Sequence, residues 1–380
     1  QAHRHHHDPA YNRVILHVVM WHNTKLATNL QNGESVPILV LDKYLKVPIS
    51  QWSDGEELPT TLNTPCRKAA ERLTTGAMAE FLDSAGEERF LAKAARFQAD
   101  LAQMEAGQSL YQRMMGALGY SKNKLPFLEL AHRLPLQVLE SITRGKRADE
   151  ECLAQQQVLL LGTAGLLPSQ RPSRRQENKL DDKWTDKLER LWISCPHTEV
   201  MSPNAWHLFK VRPNNSPIRR LVAMSYVILR YKRKGIFEEL VNIVKEVPVS
   251  QGYYRLETGL VVTTNGYWAS HFDFGLGSRT RNPTLLGSQR AADIIVNVFL
   301  PLAVAWGKVI SQPELERKAF DLYRRYPKLT VNSVERHMRQ QLRLSDSLVN
   351  SARRQQGLIH IYNTLCTQGR CNSCPLGKAS

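Results

Sequence analysis

No stretch of this 380-residue sequence is apolar for long enough to suggest a membrane span. The longest apolar run, Ile294 to Trp306, is broken by Asn297 and Pro301 and reads as a buried helix. The sequence as given also lacks a secretory signal, a lipidation signal and an internal repeat, so no membrane partner is expected. It has neither a glycine-rich loop nor a catalytic-loop signature, which rules out reading Asp273-Phe274-Gly275 as a kinase metal motif. Cysteine is scarce, with six residues, and a chain of this size needs no disulfide staples. The expectation is a cytoplasmic protein with reduced thiols. Negative charge is also short: 35 acidic residues face 51 basic ones.

What is present is a soluble globular composition, 42% hydrophobic and 23% charged, sufficient for one large core or two ordinary ones. The net charge of +16 is an electrostatic footprint suited to phosphate backbones, so DNA or RNA is the expected partner. The excess is spread over Arg171 to Arg175, Arg230 to Lys234, Arg279 with Arg281, Arg324-Arg325 and Arg336 to Arg354. A solvated basic surface is the competing reading.

The scarce cysteines are unevenly placed. Cys366, Cys371 and Cys374 stand at C-x4-C-x2-C spacing, with Pro375 after the last. Three soft sulfur ligands so close in sequence converge on one ion or cluster with little chain to order. The spacing matches the opening of the plant-type ferredoxin pattern, which takes its fourth thiolate from elsewhere. Zinc is the alternative, with four sulfurs or three sulfurs and a histidine. The fourth ligand comes from Cys66, Cys152 or Cys195, the last with His197 nearby. Cys66 follows Pro65 at a loop-to-helix junction and is the favoured one, because such a junction presents a side chain more freely than a packed helix face.

The pattern of apolar residues gives an α+β fold: the remnant of a β-sheet at the N-terminus, then a large, mainly α-helical body. Val14 to Met20 reads as a buried strand and Val36 to Leu41 as a second. Asn32-Gly33 marks a turn, so the two are expected to form a hairpin at a sheet edge. Phe90, Ala94, Phe97, Leu101 and Met104 then recur at helical spacing. Further helices are expected near 109–118, 127–142, 149–161, 217–231, 288–309, 313–326, 331–342 and 348–365. Ser216 is placed to cap the helix that begins at Pro217. The resulting organisation is a partial β-rich domain over 1–65, a helical region over 66–167, a basic linker or loop over 168–180, and a helical region over 181–380 ending in the cysteines.

Two other groups suggest chemistry. Histidines 3 and 5–7 with Asp8, followed by His17, form a candidate divalent-metal or general-base site. Asp8 and His17 are the candidate catalytic residues, and a metal there would activate water. The bland alternative is a surface loop with His17 as a core histidine. The segment from Arg279 through Arg281 to Ser288 and Arg290 is a basic loop entering a helix, so Arg279, Arg281, Ser288 and Arg290 are candidate phosphate ligands. Trp268 and His271 nearby are candidates to stack on a base, with core packing the commoner fate of such a tryptophan.

Several segments together resemble the bacterial family known as domain of unknown function 2851. They are His5-His6-His7-Asp8-Pro9-Ala10-Tyr11, the strand holding His17, Pro65-Cys66, Gly162-Thr-Ala-Gly165, Arg212-Pro-Asn-Asn-Ser-Pro217, Tyr267-Trp268-Ala-Ser-His271-Phe272, Leu286-Gly287, Asp293 to Pro301, and the final cysteines with Gly377. The family pattern has a cysteine where Cys66 stands, which supports Cys66 as fourth ligand. It has histidines at 3, 5, 6 and 17 and an aspartate at 8, so a tag origin for the first residues is not implied. It also extends further N-terminally, and the chain is therefore expected to be a fragment. That extension is similar to the acidic core of PD-(D/E)XK nucleases, with histidine where lysine is usual. Some nucleases of that superfamily hold an iron–sulfur cluster with one early and three late cysteines, the layout of Cys66 with Cys366, Cys371 and Cys374. The implied function is nucleic-acid processing, nuclease-like in the full-length protein. The alternatives are a non-enzymatic nucleic-acid-binding module and a redox or sensor protein centred on the cysteines.

Overall fold

The computed structural model of the chain describes residues 9–20, 27–44, 66, 73–144, 147–171, 183–195, 199–208, 211, 215–277 and 284–378. Contacts divide it into two units, Gln1–Asn63 and Thr64–Ser380. It is an α+β protein with a mainly helical body.

Among its described residues the first unit contains four short strands: β1 (His17–Val19), β2 (Thr28–Asn29), β3 (Ser35–Val36) and β4 (Ile38–Val40). β2 and β3 form an antiparallel hairpin around Gly33, whose φ of +84° is one that glycine adopts without steric cost. The expected hairpin between the 14–20 and 36–41 segments is not formed. β1 instead runs parallel to β4, with His17 opposite Ile38. Nor is the first strand buried: Ile15, Leu16 and Val18 are exposed. Among the described residues β4 is its only paired strand, and a strand paired along its edge gains no cover over its faces.

The second unit starts from the 27-residue helix α1 (Thr75–Leu101). The Thr74 side chain accepts a hydrogen bond from the Ala77 amide at 3.2 Å, a cap worth about 1 kcal/mol. Next come α2 (Ala106–Leu118), α3 (Lys124–Arg133), α4 (Leu136–Ser141), α5 (Asp149–Thr163) and α6 (Lys183–Ile193). The expected 127–142 helix is split at Leu134-Pro135, where proline bars the preceding residue from helical geometry. Then follow α7 (Pro217–Arg230), α8 (Ile236–Glu246) and α9 (Val249–Leu260). Ser216 does occupy the cap position of α7, but its side chain makes no capping bond.

Four short strands then form two antiparallel pairs, β5 (Val262–Thr263) with β8 (Thr284–Leu286), and β6 (His271–Asp273) with β7 (Leu276–Gly277). Two buried arginines at the start of α7 hold this region. Arg219 donates to the carbonyls of Trp268, His271 and Thr284, and Arg220 to that of Leu285.

The last third contains α10 (Ser288–Ile294), a π-helical turn at Ile295–Phe299, α11 (Leu300–Val309), α12 (Pro313–Arg324), α13 (Ser333–Leu342) and α14 (Ala352–Ile361). A second π-helical turn, Tyr362–Cys366, continues α14, and α15 (Pro375–Lys378) follows the last cysteine. The first π turn precedes Pro301, which has no amide to continue the normal ladder. By length and composition the Ser288–Val309 helix could cross a membrane, but 72% of its apolar window is buried inside the body.

One large core runs from Phe90 to Ala352 and includes α2, α5, α7 and α11. A second, smaller core gathers Met78, Leu82, Met338, Leu342, Leu358 and Leu376 around Cys66 and Cys374. Leu82 is fully buried there, worth about 1.5–3 kcal/mol.

Candidate functional site

Two adjoining cavities, of about 540 and 670 Å³, open between α1, α2, α7, α10 and α14. They share Ala117, Tyr120, Arg290 and Asn297. Among the described residues their walls carry seven basic side chains, Arg89, Lys93, Arg96, Arg113, Lys124, Arg220 and Arg290, against two carboxylates, Asp100 and Asp293. Both carboxylates are already paired. Asp100 accepts from Arg113 at 3.1 and 2.5 Å, and Asp293 lies 3.4 Å from Arg290. The cleft therefore carries a positive excess that its own carboxylates leave in place.

Arg89, Lys93 and Arg96 sit at i, i+4 and i+7 on α1, one face of the helix. That face adjoins the buried stripe of Phe90, Ala94 and Phe97, so packing of the stripe aims the basic row into the cleft. Lys93 Nζ donates to Asn297 Oδ1 at 2.5 Å and to Gln356 Oε1 at 3.2 Å. Gln356 Oε1 also accepts from Arg89 Nε at 2.9 Å. Burial, with Arg89 and Arg96 adding repulsion, pushes the Lys93 ammonium down to about 7. Asn297 belongs to the π-helical turn, and its Nδ2 donates to the Asp293 carbonyl at 2.9 Å, which turns Oδ1 towards Lys93.

Tyr120 forms the floor between the cavities. Its φ is +53°, a left-handed conformation uncommon for a bulky residue. Arg290 lies over its ring, 3.6 Å from the centroid, and Arg220 donates to its hydroxyl at 3.0 Å.

The cysteines form a separate group. Cys66 and Cys374 are buried in the small core, with Cys366 packed against it. Cys371 begins the short turn that leads to Cys374, whose amide donates to the Cys371 carbonyl at 3.1 Å. Burial pushes the Cys366 thiol up to about 11, and the nearby Cys66, Cys374 and Cys371 thiolates add to that rise. Gln341 Nε2 points at Cys66 Sγ from 3.2 Å. All six cysteines are free. Among the described residues no cluster of three or more His, Cys, Asp or Glu side chains is assembled as a ready metal site. Thiols are nonetheless the donor type that iron–sulfur clusters and zinc take.

The other candidates have different fates. Cys152 lies in a third small cluster with Ile142 and Leu229, and Cys195 packs at the edge of the large core. Arg290 is in the cleft, whereas Ser288 is exposed and lines neither cavity. Arg279, Arg281 and Asp8, with the histidines before Asp8, lie outside the described residues. His17 is exposed on β1, with Nδ1 2.7 Å from Thr28 Oγ1, so it is not a core histidine in its unit.

Trp268 is not available to stack on a base. It is buried, and its Nε1 donates to Gln157 Oε1 at 3.0 Å. His271 stacks on Tyr267 with ring centroids 3.9 Å apart. Arg171, counted above with the surface charge, is buried and bonds both oxygens of Asp273 at 2.8 and 3.0 Å. That pairing gives Asp273 a structural role.

Sequence reasoning missed most of the cleft, namely Arg89, Lys93, Arg96, Tyr120, Arg220 and Gln356. The Arg89/Lys93/Arg96 spacing was the available signal, a basic row offset by one residue from an apolar one.

Fold and site together define an α+β protein whose helical body carries a basic cleft and a four-cysteine group. The chain belongs to the family described as Protein of unknown function (DUF2851), whose family model matches residues 1–330. The match thus covers the cleft up to Thr330 and stops before the cysteine run. No curated protein and no solved structure matches the chain.

Proposed function

We propose that this protein binds nucleic acid in the basic cleft and, as the full-length chain, processes it in the manner of a metal-dependent nuclease. The observation that carries the binding reading is the uncompensated charge of the cleft, seven basic side chains against two carboxylates that are both paired. Phosphate is the anion such a surface suits, with arginine forks for its oxygens. Cleavage is assigned to Asp8 and His17, where a divalent ion would activate water. Cys66, Cys366, Cys371 and Cys374 would hold an iron–sulfur cluster or zinc as a structural staple, since Cys66, Cys366 and Cys374 meet at one small core and Cys371 is close enough to Cys366 to act on its thiol.

The first test is binding of single-stranded and duplex DNA and RNA across a salt series. Affinity is expected to fall with salt, with a log–log slope of about −0.9 per duplex phosphate contacted or about −0.7 on single strands. The double variant Arg96→Ala/Lys124→Ala removes two exposed cleft charges and should flatten that slope by about two contacts. No binding of either nucleic acid at low salt would end the proposal. Cleavage by the full-length protein with Mg²⁺ or Mn²⁺, lost in Asp8→Ala and His17→Ala, supports the nuclease reading. Binding without cleavage leaves a non-enzymatic module. Iron, acid-labile sulfide and zinc per chain of anaerobically purified protein, compared with Cys66→Ser and Cys371→Ser, decide the staple.

A further inference from the structure

Lys93 is an unusual residue for the wall of a cavity. Its two acceptors, the Asn297 and Gln356 side-chain oxygens, are neutral amides. An ammonium has three donors, so one remains for a ligand. The charges that act on it are cationic, those of Arg89 and Arg96. A cation held in that way, with neither a carboxylate partner nor full solvation, is poised for an anion that enters from the cavity.

Another part of the lining has a different character. Phe97, Leu128 and Val298 line the same 540 Å³ cavity, and Arg113 covers the Phe97 ring from 5.7 Å. That volume falls within the range of pockets that enclose one small organic ligand. The cavity thus joins a cationic end to an apolar, arginine-edged flank. Two local departures from regular backbone border it, the left-handed Tyr120 and the π-helical turn that presents Asn297. Such departures gather at functional sites. Tyr120 is also where the two cavities meet, and Arg290 is held flat on its ring.

We infer that this cavity is a pocket for a single nucleotide unit bearing a phosphate monoester, with the phosphate at Lys93 and Arg290 and the base along the Phe97–Leu128–Val298 flank. The two-part lining is what carries the inference. A charged groove alone would follow a backbone at any point, whereas a cationic end beside an apolar flank suits a terminus. Two sources supply that chemistry, a free mononucleotide or the 5′-phosphorylated end of a strand. The inference rests on the nucleic-acid reading of the cleft for the second source only.

The experiment measures binding of one labelled oligonucleotide with and without a 5′-phosphate, and of the four nucleoside 5′-monophosphates alone. It uses the wild-type chain, Lys93→Gln and Tyr120→Ala, each checked for folding by circular dichroism. If the pocket takes a strand end, the 5′-phosphate strengthens wild-type binding about tenfold or more, as charge-assisted bonds to phosphate would. Lys93→Gln then abolishes that preference, while the unphosphorylated strand weakens by no more than the loss of one cleft charge. If it takes a free nucleotide, the monophosphates bind and the corresponding nucleosides do not, with the same loss in Lys93→Gln. Equal oligonucleotide binding with and without the phosphate, together with no monophosphate binding, overturns the pocket while the nucleic-acid reading stands. A phosphate preference that survives in Lys93→Gln and in Tyr120→Ala also overturns it, because the phosphate would then be read elsewhere. Absence of all binding at low salt removes both readings.

Discussion

Gly86 and Gly357 face each other where α1 crosses α14. A Cβ on Gly357 would stand 2.1 Å from the Leu82 carbonyl oxygen and 3.2 Å from the Gly86 amide. A Cβ on Gly86 would stand 2.1 Å from the Arg353 carbonyl oxygen. The crossing is flanked by ion pairs, Arg353 and Arg354 with Asp83 and Arg353 with Glu87. Tyr323 Oη donates to the Gly86 carbonyl at 2.7 Å. Both obstacles are backbone, which cannot swing aside. Gly357→Ala is therefore expected to destabilise the protein by about 1–3 kcal/mol, the usual range for overpacking. Urea denaturation checks this, and a midpoint equal to wild type would show that the helices separate freely.

The Arg171–Asp273 pair is bidentate and nearly buried, with side-chain exposures of 6% and 12%. Asp273→Ala strands the arginine and should cost about 3–5 kcal/mol. Replacing both residues, as Arg171→Met/Asp273→Leu, should recover most of that loss, because it removes the desolvation cost along with the pair. The same denaturation series reads both variants.

Lys93 sets a pH dependence of stability. Its folded value of about 7 lies below that of an unfolded lysine, so the folded state disfavours the charged form. Below pH 7 both states carry the proton and the cost is fully present. Between about pH 7 and pH 10 the unfolded chain holds more protons than the native one, and stability rises with pH. Facing groups in the cavity are Arg96, Arg113 and Arg290, with Asp100 and Asp293. Lys93→Met should flatten the rise, with a difference on the order of a few kcal/mol between the ends of the window. Denaturation midpoints at pH 6, 8 and 10 would reveal it, and parallel wild-type and variant curves would contradict it.

Gln157 is the buried partner of Trp268 and also donates to Ser225 Oγ at 3.3 Å. Gln157→Leu leaves the indole N–H unpaired inside the core, at a cost of about 1–3 kcal/mol. Nucleic-acid affinity should be unchanged, since Trp268 belongs to the core. A loss of affinity without loss of stability would restore Trp268 as a contact residue.

Cys152→Ala and Cys195→Ala should leave metal content per chain at the wild-type value, because neither thiol is near the group around Cys66. Cys152 Sγ instead lies 3.7 Å from the Ile142 carbonyl oxygen. Metal analysis beside Cys66→Ser checks this, and loss of metal in either alanine variant would redraw the ligand set.

Much of the helical body was legible in the sequence. The Phe90/Ala94/Phe97 stripe, the proline starts of α7 and α12, and the apolar run after Ser288 are local signals that tertiary structure respects. The strands were not legible in the same way. The β-branched 14–20 segment states only a preference for extended chain, while partner and direction are decided by contacts far away in sequence. The cleft was less visible still. Arg290 stood out because it sits in a basic loop, but Lys93 lies in an ordinary-looking helix, and its chemistry comes from Asn297 and Gln356, more than two hundred residues later. Tyr120 carries no sequence mark of its left-handed backbone.

The crossing of α1 with α14 also orders events in time. Asp83 and Arg354 are 271 residues apart, so α1 leaves the ribosome well before the helix it packs against. Until then its glycine-notched face, with Leu82 and the acidic row beside it, stays bare. Folding of this face waits on synthesis of α14 rather than on local propensity. A chain cut before α14 would leave bare an apolar, acidic strip that the packed pair of helices covers.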